Sequence, residues 1–335
     1  MMRLVQLIHP KEGRKIAKVE EPNLRIIANF KSIFDLVNDA LKNNGNLSKV
    51  VDKNLTDTVL SYDPIYNLAS DWKLLPSFDH PMDPTKVLLA GTGLTHKASA
   101  ENRNKMHDQI QEDQLTDSMK MYKMGEESGH PPVGEIGVQP EWFYKGTGVV
   151  LKAHGETLTI PSYGDDGGEE PEIAGIYFID EEGNPWRIGF TNANEFSDHI
   201  MESKNYLYLA PSKIRNCSIG PELVIDATFK NIEGKVSISR NNQTYWEEKI
   251  KTGEGNMCHS LSNLEYHHFK YKNHRIPQTG HIHFFGADAF SYGKQIKLKD
   301  DDVMHIQWNE MGRELQNKLY VDKETEQLIK INSVS

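Results

Sequence analysis

Cysteine is scarce in this 335-residue chain: the two present, Cys217 and Cys258, are too few for a disulfide framework and are not spaced for a thiolate zinc site. A small disulfide-stapled fold is excluded, and a reducing cytoplasm is the expected compartment. Long apolar runs are also missing. No stretch approaches the roughly 20 residues of a membrane span, and the apolar part of MMRLVQLIHP is too short and interrupted for a signal peptide. Neither a membrane partner nor a leader is expected. Positive charge is in deficit, with 38 Lys and Arg against 48 Asp and Glu, a net charge of −10. Phosphate backbones are bound chiefly by Lys and Arg displacing counterions, so nucleic acid is not an expected partner. Walker and Rossmann glycine patterns are absent, and Gly91-Thr92-Gly93 in KVLLAGTG reads as a tight turn.

What is there is an ordinary globular composition, 37% hydrophobic and 26% charged, long enough for one large domain or two. The strand-like MRLVQLI is followed by Ile33, Phe34, Val37, Ala40 and Leu41 at helical spacing. Pro64, Pro76, Pro81 and Pro84 then break regular structure. The expectation is a small N-terminal α+β lobe and linker over residues 1–85 and a β-rich α+β domain over 86–335. KVLLAGTG predicts a strand, and LTHKASAENRNKMHDQI a helix. The polar stretch 108–129, with Met119, Met121 and Met124, predicts a helical segment, either a lid or a packed surface helix. Turns are expected at Gly155-Glu156, Ile232-Glu233-Gly234 and Arg240-Asn241-Asn242, and a helix over YLYLAPSK.

The chemistry concentrates in residues 169–199, EEPEIAGIYFIDEEGNPWRIGFTNANEFSDH. On a strand, residues at i and i+2 point to one face, so Glu170 and Glu172 aim at a single spot. If IYFID and WRIGFT are two strands joined by a turn at Glu181-Glu182-Gly183-Asn184-Pro185, the chain reverses and returns Glu195 to that pair. Three converging carboxylates without cysteine suit a hard divalent cation, Mg²⁺ first and Mn²⁺ or Ca²⁺ next. The alternative is a salt-bridged surface hairpin among Asp165, Asp166, Glu169, Glu181 and Glu182. The apolar IAGIYFI after the pair favours burial, and buried carboxylates need a cation. His267 and His268 point to different sides and chelate poorly. His281 and His283, at i and i+2, share a strand face but have no third ligand at recognisable spacing, so edge-strand or pocket-lining positions are expected for them rather than zinc. Cys217 reads as a small buried residue.

PEWFYKG, HGETLTIP, EEPEIAGIYFID, IGFTNANEFSDH, YLAPSKIRNCSIGPELVI and DDVMHIQWNEMGRELQN stand in the order of signature blocks of the fumarylacetoacetate hydrolase superfamily, which the chain resembles over about residues 86–320. Within it, GTGLT and YLAPSKI are similar to dehydratases of 2-keto-3-deoxy sugar acids. The resemblance implies a mixed β-roll whose Glu-x-Glu pair, here Glu170 and Glu172, binds Mg²⁺ with a third acidic residue. Glu195 falls where the family has Asp, one methylene longer. Lys213 matches the family's lysine near the metal, expected to stabilise an enolate or shuttle the C3 proton, since a lysine beside a cation is pushed toward its neutral form. GLTHKASAE departs from the hydrolase His–Glu spacing, and FFGADAFSYG is altered too; both changes count against an acylpyruvate hydrolase. Glu101, then His96, are the candidate acids for a C4 leaving group, the alternative being an exposed helix glutamate and a surface histidine. Lys145, Thr95 and Ser218 are candidate substrate contacts, and His154 either touches the substrate or the residues around the metal or is structural.

The implied activity is Mg²⁺-dependent dehydration of a 2-keto-3-deoxy sugar acid through an enolate, with a small-molecule 2-keto acid as partner and a homodimer or higher homo-oligomer as assembly. A C–C hydrolase of a diketo acid or acylpyruvate, and a non-catalytic sugar-acid-binding protein, are the alternatives.

Overall fold

The computed structural model describes residues 1–42, 45–106 and 116–334. Two sheets carry the fold. The larger has 13 strands, and its main path is built from β1 (Met2–His9), β2 (Gly13–Glu20), β3 (Asn23–Ile27), β4 (Leu55–Ser61), β5 (Val87–Gly91), β6 (Phe143–Thr147), β7 (Pro171–Ile179), β8 (Pro185–Asn194), β9 (Leu223–Ile225) and β10 (Gly280–Phe284). In space the order is β4-β3-β2-β1-β9-β8-β7-β10-β5-β6. The second sheet orders the strands Gln243–Thr252, Ile232–Arg240, Val303–Trp308, Leu315–Val321 and Leu158–Ile160. Helices pack around these sheets, giving the β-rich α+β class expected from the sequence.

The strands before residue 85 extend the main sheet, because β1 pairs with β9, Leu4 opposite Leu223. One apolar core takes Leu4, Ile16 and Phe34 from the N-terminal part together with Ala174, Phe178 and Ile282. Buried Glu222 adds a polar tie: it accepts from Arg3 Nη1 at 2.9 Å, from the Tyr62 hydroxyl at 3.1 Å and from the Arg313 backbone at 3.1 Å. The predicted helix around 31–41 is Ile33–Lys42, which buries Ile33, Phe34, Leu36, Val37 and Ala40.

The central hairpin forms as its sequence predicts. All nine residues of β7 are buried, since strands flank it and apolar clusters cover its two faces, one around Ala174, Ile176 and Phe178 and the other around Ile173, Tyr177 and Ile179; such strands read as continuous apolar runs. Its turn is built on Asp180, whose Oδ1 accepts the Glu182 and Asn184 backbone N–H groups at 3.0 and 2.7 Å and whose Oδ2 accepts Trp186 Nε1 at 2.7 Å. An aspartate capping its own turn in this way leaves the glycine to supply the left-handed backbone, here Gly183 at φ 84°.

Two of the expected turns join no hairpin. Gly155-Glu156 does not close a hairpin, because the flanking strands Leu151–Lys152 and Leu158–Ile160 pair with different partners. Ile232-Glu233-Gly234 lies inside the strand Ile232–Arg240. Gly234 is there for packing: a Cβ would stand 2.4 Å from the Trp308 ring. Of the stretch 108–129, residues 108–115 lie outside the described residues, and Asp117–Ser128 is a helix capped by the Thr116 hydroxyl. Among the described residues no helix is long and apolar enough to cross a membrane.

Candidate functional site

Antiparallel pairing of β7 and β8 sets Glu172 opposite Ala193 and Pro171 opposite Asn194. Glu195 follows directly, and its backbone N–H donates to the Glu170 carbonyl at 3.0 Å. The result is a buried cluster of Glu170, Glu172 and Glu195 whose nearest carboxylate oxygens all lie within 4.8 Å of one another. Close approach is possible because Gly91, at the end of β5, has no side chain: a Cβ there would stand 2.5 Å from Glu195 Oε1.

Lys213, at the C-terminus of the short helix Leu209–Lys213, reaches in from the side. Its Nζ donates to Glu170 Oε1 and Oε2 at 2.6 and 2.7 Å, lies 3.6 Å from Glu195 Oε2, and sits 5.0 Å from the Phe143 ring centroid. Burial works to discharge it, but Glu170 and Glu195 hold its ammonium well above the usual lysine range. The carboxylates around it hold it charged, whereas the neutral form expected from the sequence depends on a cation beside it. Burial likewise opposes the charge of Glu170, yet Lys213 and His199 keep that carboxyl well below its ordinary range. Glu172 and Glu195 go the other way. Burial and the neighbouring carboxylates raise Glu172, although the Gly286 N–H donates to its Oε2 at 2.6 Å. Burial, joined by the field of Glu170, pushes Glu195 up to about 8, and its Oε1 is buried with no hydrogen-bond partner. Three carboxylates facing one engaged lysine, with one oxygen orphaned, make a donor set that fits a hard divalent cation.

The cavity at this cluster is lined by Thr92, Gly93 and Ser99, by Phe143 and Phe290, by Gly286 and Ala287, and by His199, Glu202 and Lys213 beside the three glutamates. Its enclosed space, about 20 Å³, suits a water-sized occupant.

The other sequence candidates stand outside this lining. Glu101 lies on the helix Lys97–Met106, half exposed, with its carboxylate 3.9 Å from Lys97. His96 is buried rather than on the surface. The Thr95 hydroxyl donates to the Phe285 carbonyl at 2.8 Å, so His96 Nδ1 donates to that hydroxyl at 2.9 Å, while Nε2 meets Thr252 at 3.1 Å. Burial pushes His96 down to about 3. Thr95 and His96 thus brace the strand end that delivers Gly286 to Glu172. Lys145 Nζ donates to the Glu195 and Phe196 carbonyls at 3.2 and 2.5 Å, and burial pushes it down to about 8; it pins the loop that carries Glu195. Ser218 donates to Asn317 Oδ1 at 2.5 Å. His154 stacks on Tyr66 and meets the Tyr66 carbonyl at 3.0 Å, a structural place. His281 and His283 occupy β10, between β7 and β5, in the sheet interior rather than at an edge; His283 Nε2 meets the Thr92 hydroxyl at 2.6 Å.

His199 and Glu202 are site residues that the sequence did not single out. They sit one turn apart on the helix His199–Lys204, both buried and both lining the cavity. Their i, i+3 spacing was the available signal, but a six-residue helix has too little periodicity to announce which face turns inward.

No protein-family model matches the chain. Over 180 residues it is 29% identical to 2-dehydro-3-deoxy-D-arabinonate dehydratase of Saccharolobus solfataricus, a match covering 52% of this chain and 57% of that relative. The match thus spans little more than half the relative's length. Among solved structures, 2-keto-3-deoxy-D-arabinonate dehydratase complexed with magnesium and 2,5-dioxopentanoate superposes with a TM-score of 0.70 at 19% identity, covering 96% of this chain and all of that one. A 5-carboxymethyl-2-hydroxymuconate delta-isomerase from Mycobacterium smegmatis superposes at 0.57 with 14% identity over 96% of this chain and all of that one. By fold the chain is of the fumarylacetoacetate hydrolase type, and by sequence it resembles the 2-keto-3-deoxy-D-arabinonate dehydratases.

Proposed function

We propose that the protein is a Mg²⁺-dependent dehydratase, a hydro-lyase, of a 2-keto-3-deoxy sugar acid. The observation that carries this is the buried Glu170, Glu172 and Glu195 cluster with its orphaned Glu195 oxygen and Lys213 at its edge. The likeness to an enzyme whose solved structure holds magnesium and 2,5-dioxopentanoate supports it. The three carboxylates would hold the cation, with Mn²⁺ or Ca²⁺ as substitutes. A bound divalent ion supplies positive charge that polarises the keto group of a 2-keto acid and makes its C3 protons more acidic.

The chain's own residues do the rest. Lys213, held charged by Glu170, brings N–H donors to the cavity and stabilises negative charge that grows on a substrate oxygen as the C3 proton leaves. Glu202, buried on the cavity wall and outside the three-carboxylate cluster, is placed to accept or return a proton, a role for which Glu101 and His96 are less well placed. Phe143 and Phe290 exclude water from one side. Returning the proton taken from C3 to the C4 hydroxyl lets that oxygen leave as water while a C3–C4 double bond forms, which completes the dehydration.

The lining also bears on the substrate's far end. Among the described residues Lys213 is the single Lys or Arg lining the cavity, and Glu170 already engages it. Once the cavity opens to admit a substrate, a second carboxylate would face glutamates, whereas a hydroxylated tail would find the Ser99 hydroxyl. That favours a sugar acid over a dicarboxylic diketo acid. A cytoplasmic homodimer or higher homo-oligomer acting in sugar catabolism, with residues 1–85 as an N-terminal α+β lobe and linker whose strands extend the main sheet, completes the proposal.

The test is a panel of 2-keto-3-deoxy acids and acylpyruvates, each incubated with protein and Mg²⁺. Water loss with the carbon chain intact is expected. Pyruvate release from an acylpyruvate would make the protein a C–C hydrolase, and saturable binding without turnover would make it a binding protein.

A further inference from the structure

We propose that His199 is a positioning residue of the metal centre, holding Glu170 in its ligating orientation while Lys213 is free to turn to the substrate. The inference rests on the proposal that the three glutamates take a divalent cation. Its first support is geometric. His199 is 1% exposed, and its Nε2 stands 3.0 Å from Glu170 Oε1. An ionised carboxylate only accepts, so Nε2 is the donor.

The second support is that nothing else competes for the ring. Nδ1 is buried without a hydrogen-bond partner, and it faces Gly168, where a Cβ would stand 2.9 Å away. The ring is clasped instead by stacking, with its centroid 4.7 Å from Phe290 and 5.1 Å from Tyr292. Among the described residues the ring's one polar engagement is therefore with Glu170. The clasp has its own anchor, because Ser291, between the two aromatics, donates to buried Glu169 through its backbone N–H at 2.6 Å and its hydroxyl at 2.8 Å. Glu169, Glu170 and Glu172 are thus each tied to the segment after β10, through Ser291, His199 and Gly286.

The two donors on Glu170 have different duties. Lys213 is bonded to both oxygens and also lines the cavity, so it is the group that turns when substrate enters. His199 has no such freedom between its aromatic neighbours. With His199 in place, Glu170 keeps one fixed hydrogen bond after Lys213 has moved. Outer hydrogen bonds of this kind to a ligating carboxylate or imidazole typically change metal affinity by about 10–100-fold when removed.

Two variants separate the donor from the ring. His199→Phe keeps the stack and removes the N–H; His199→Gln keeps an N–H near the same place and removes the stack. Isothermal titration of the metal-free full chain with MgCl₂, and melting of the same proteins in EDTA, give readouts independent of turnover. The expected result is that His199→Phe melts close to wild type in EDTA but binds Mg²⁺ about 10–100-fold more weakly, and that His199→Gln restores most of the affinity. Wild-type affinity in His199→Phe overturns the inference. So does a loss in His199→Gln as large as in His199→Phe, a comparison that stands even if the ring's removal lowers the melting temperature. A wild-type protein that binds none of Mg²⁺, Mn²⁺ and Ca²⁺ is a different result, and overturns the metal proposal itself.

Discussion

Glu172 and Glu195 are the two carboxylates of the cluster whose charge the protein answers least: burial and neighbouring carboxylates raise both, with Lys213 offsetting only part of this at Glu195, while Glu170 is answered by Lys213 and His199. Glu172→Gln removes a charge and a ligand oxygen with little change of shape. Mg²⁺-dependent turnover in steady-state assay should fall by about 10²-fold or more, and an unchanged rate would dismiss the metal assignment. Lys213→Met keeps the aliphatic stem against Phe143 but removes the ammonium. It should bind Mg²⁺ and lose about 10²–10³-fold in turnover, whereas normal rates would show that Lys213 only neutralises Glu170. The carboxylates were legible in the sequence because strand alternation fixes which residues share a face. The duties of Thr95, His96 and Ser218 were not, because Phe285, Thr252 and Asn317, which take their polar atoms, are 190, 156 and 99 residues away in the chain. Spacing alone carries no trace of such a partner.

At the level of elements, the β7–β8 hairpin delivers the glutamates, and its turn together with a one-residue bulge at Ile188 sets the register that places Glu195 beside Glu170. Asp180 accepts from Glu182, Asn184 and Trp186 in that turn. Asp180→Ala should lower the free energy of unfolding in urea by about 1–3 kcal/mol, and a midpoint within error of wild type would mean the turn holds without it. The hairpin was legible because EEGNP sits between two apolar runs. The false turn at Ile232-Glu233-Gly234 has the opposite cause: a glycine selected by the Trp308 ring above it resembles, in sequence, a glycine selected by backbone conformation. The small helix carrying His199 and Glu202 was missed because tertiary contacts, not periodicity, hold it.

For the molecule as a whole, the main sheet crosses the expected boundary at residue 85 through β1 and β9, a pairing that no local pattern announces. The same close packing buries many histidines. Burial pushes His96, His281 and His283 down to about 3 and His154 and His259 to about 4. An unfolded histidine titrates near 6.5. Above that pH both states are neutral and their full contribution to stability is present. As the pH falls below 6.5 the unfolded chain takes up protons that the folded chain refuses, so stability is lost down to the folded values, at about 1.4 kcal/mol per histidine per pH unit. Melting temperature followed from pH 6.5 to 4.5 should therefore drop, the five histidines outweighing Glu172 and Glu195, whose raised values act in the opposite sense. A flat profile to pH 5 would mean that these imidazoles accept protons in the folded state. The most direct test is NMR of a series of 2-keto-3-deoxy sugar acids incubated with the protein and Mg²⁺, with EDTA as control. One of them should give a product lighter by one water with its carbon chain intact, formed with Mg²⁺ and not with EDTA; release of pyruvate, or turnover indifferent to EDTA, would contradict the dehydratase.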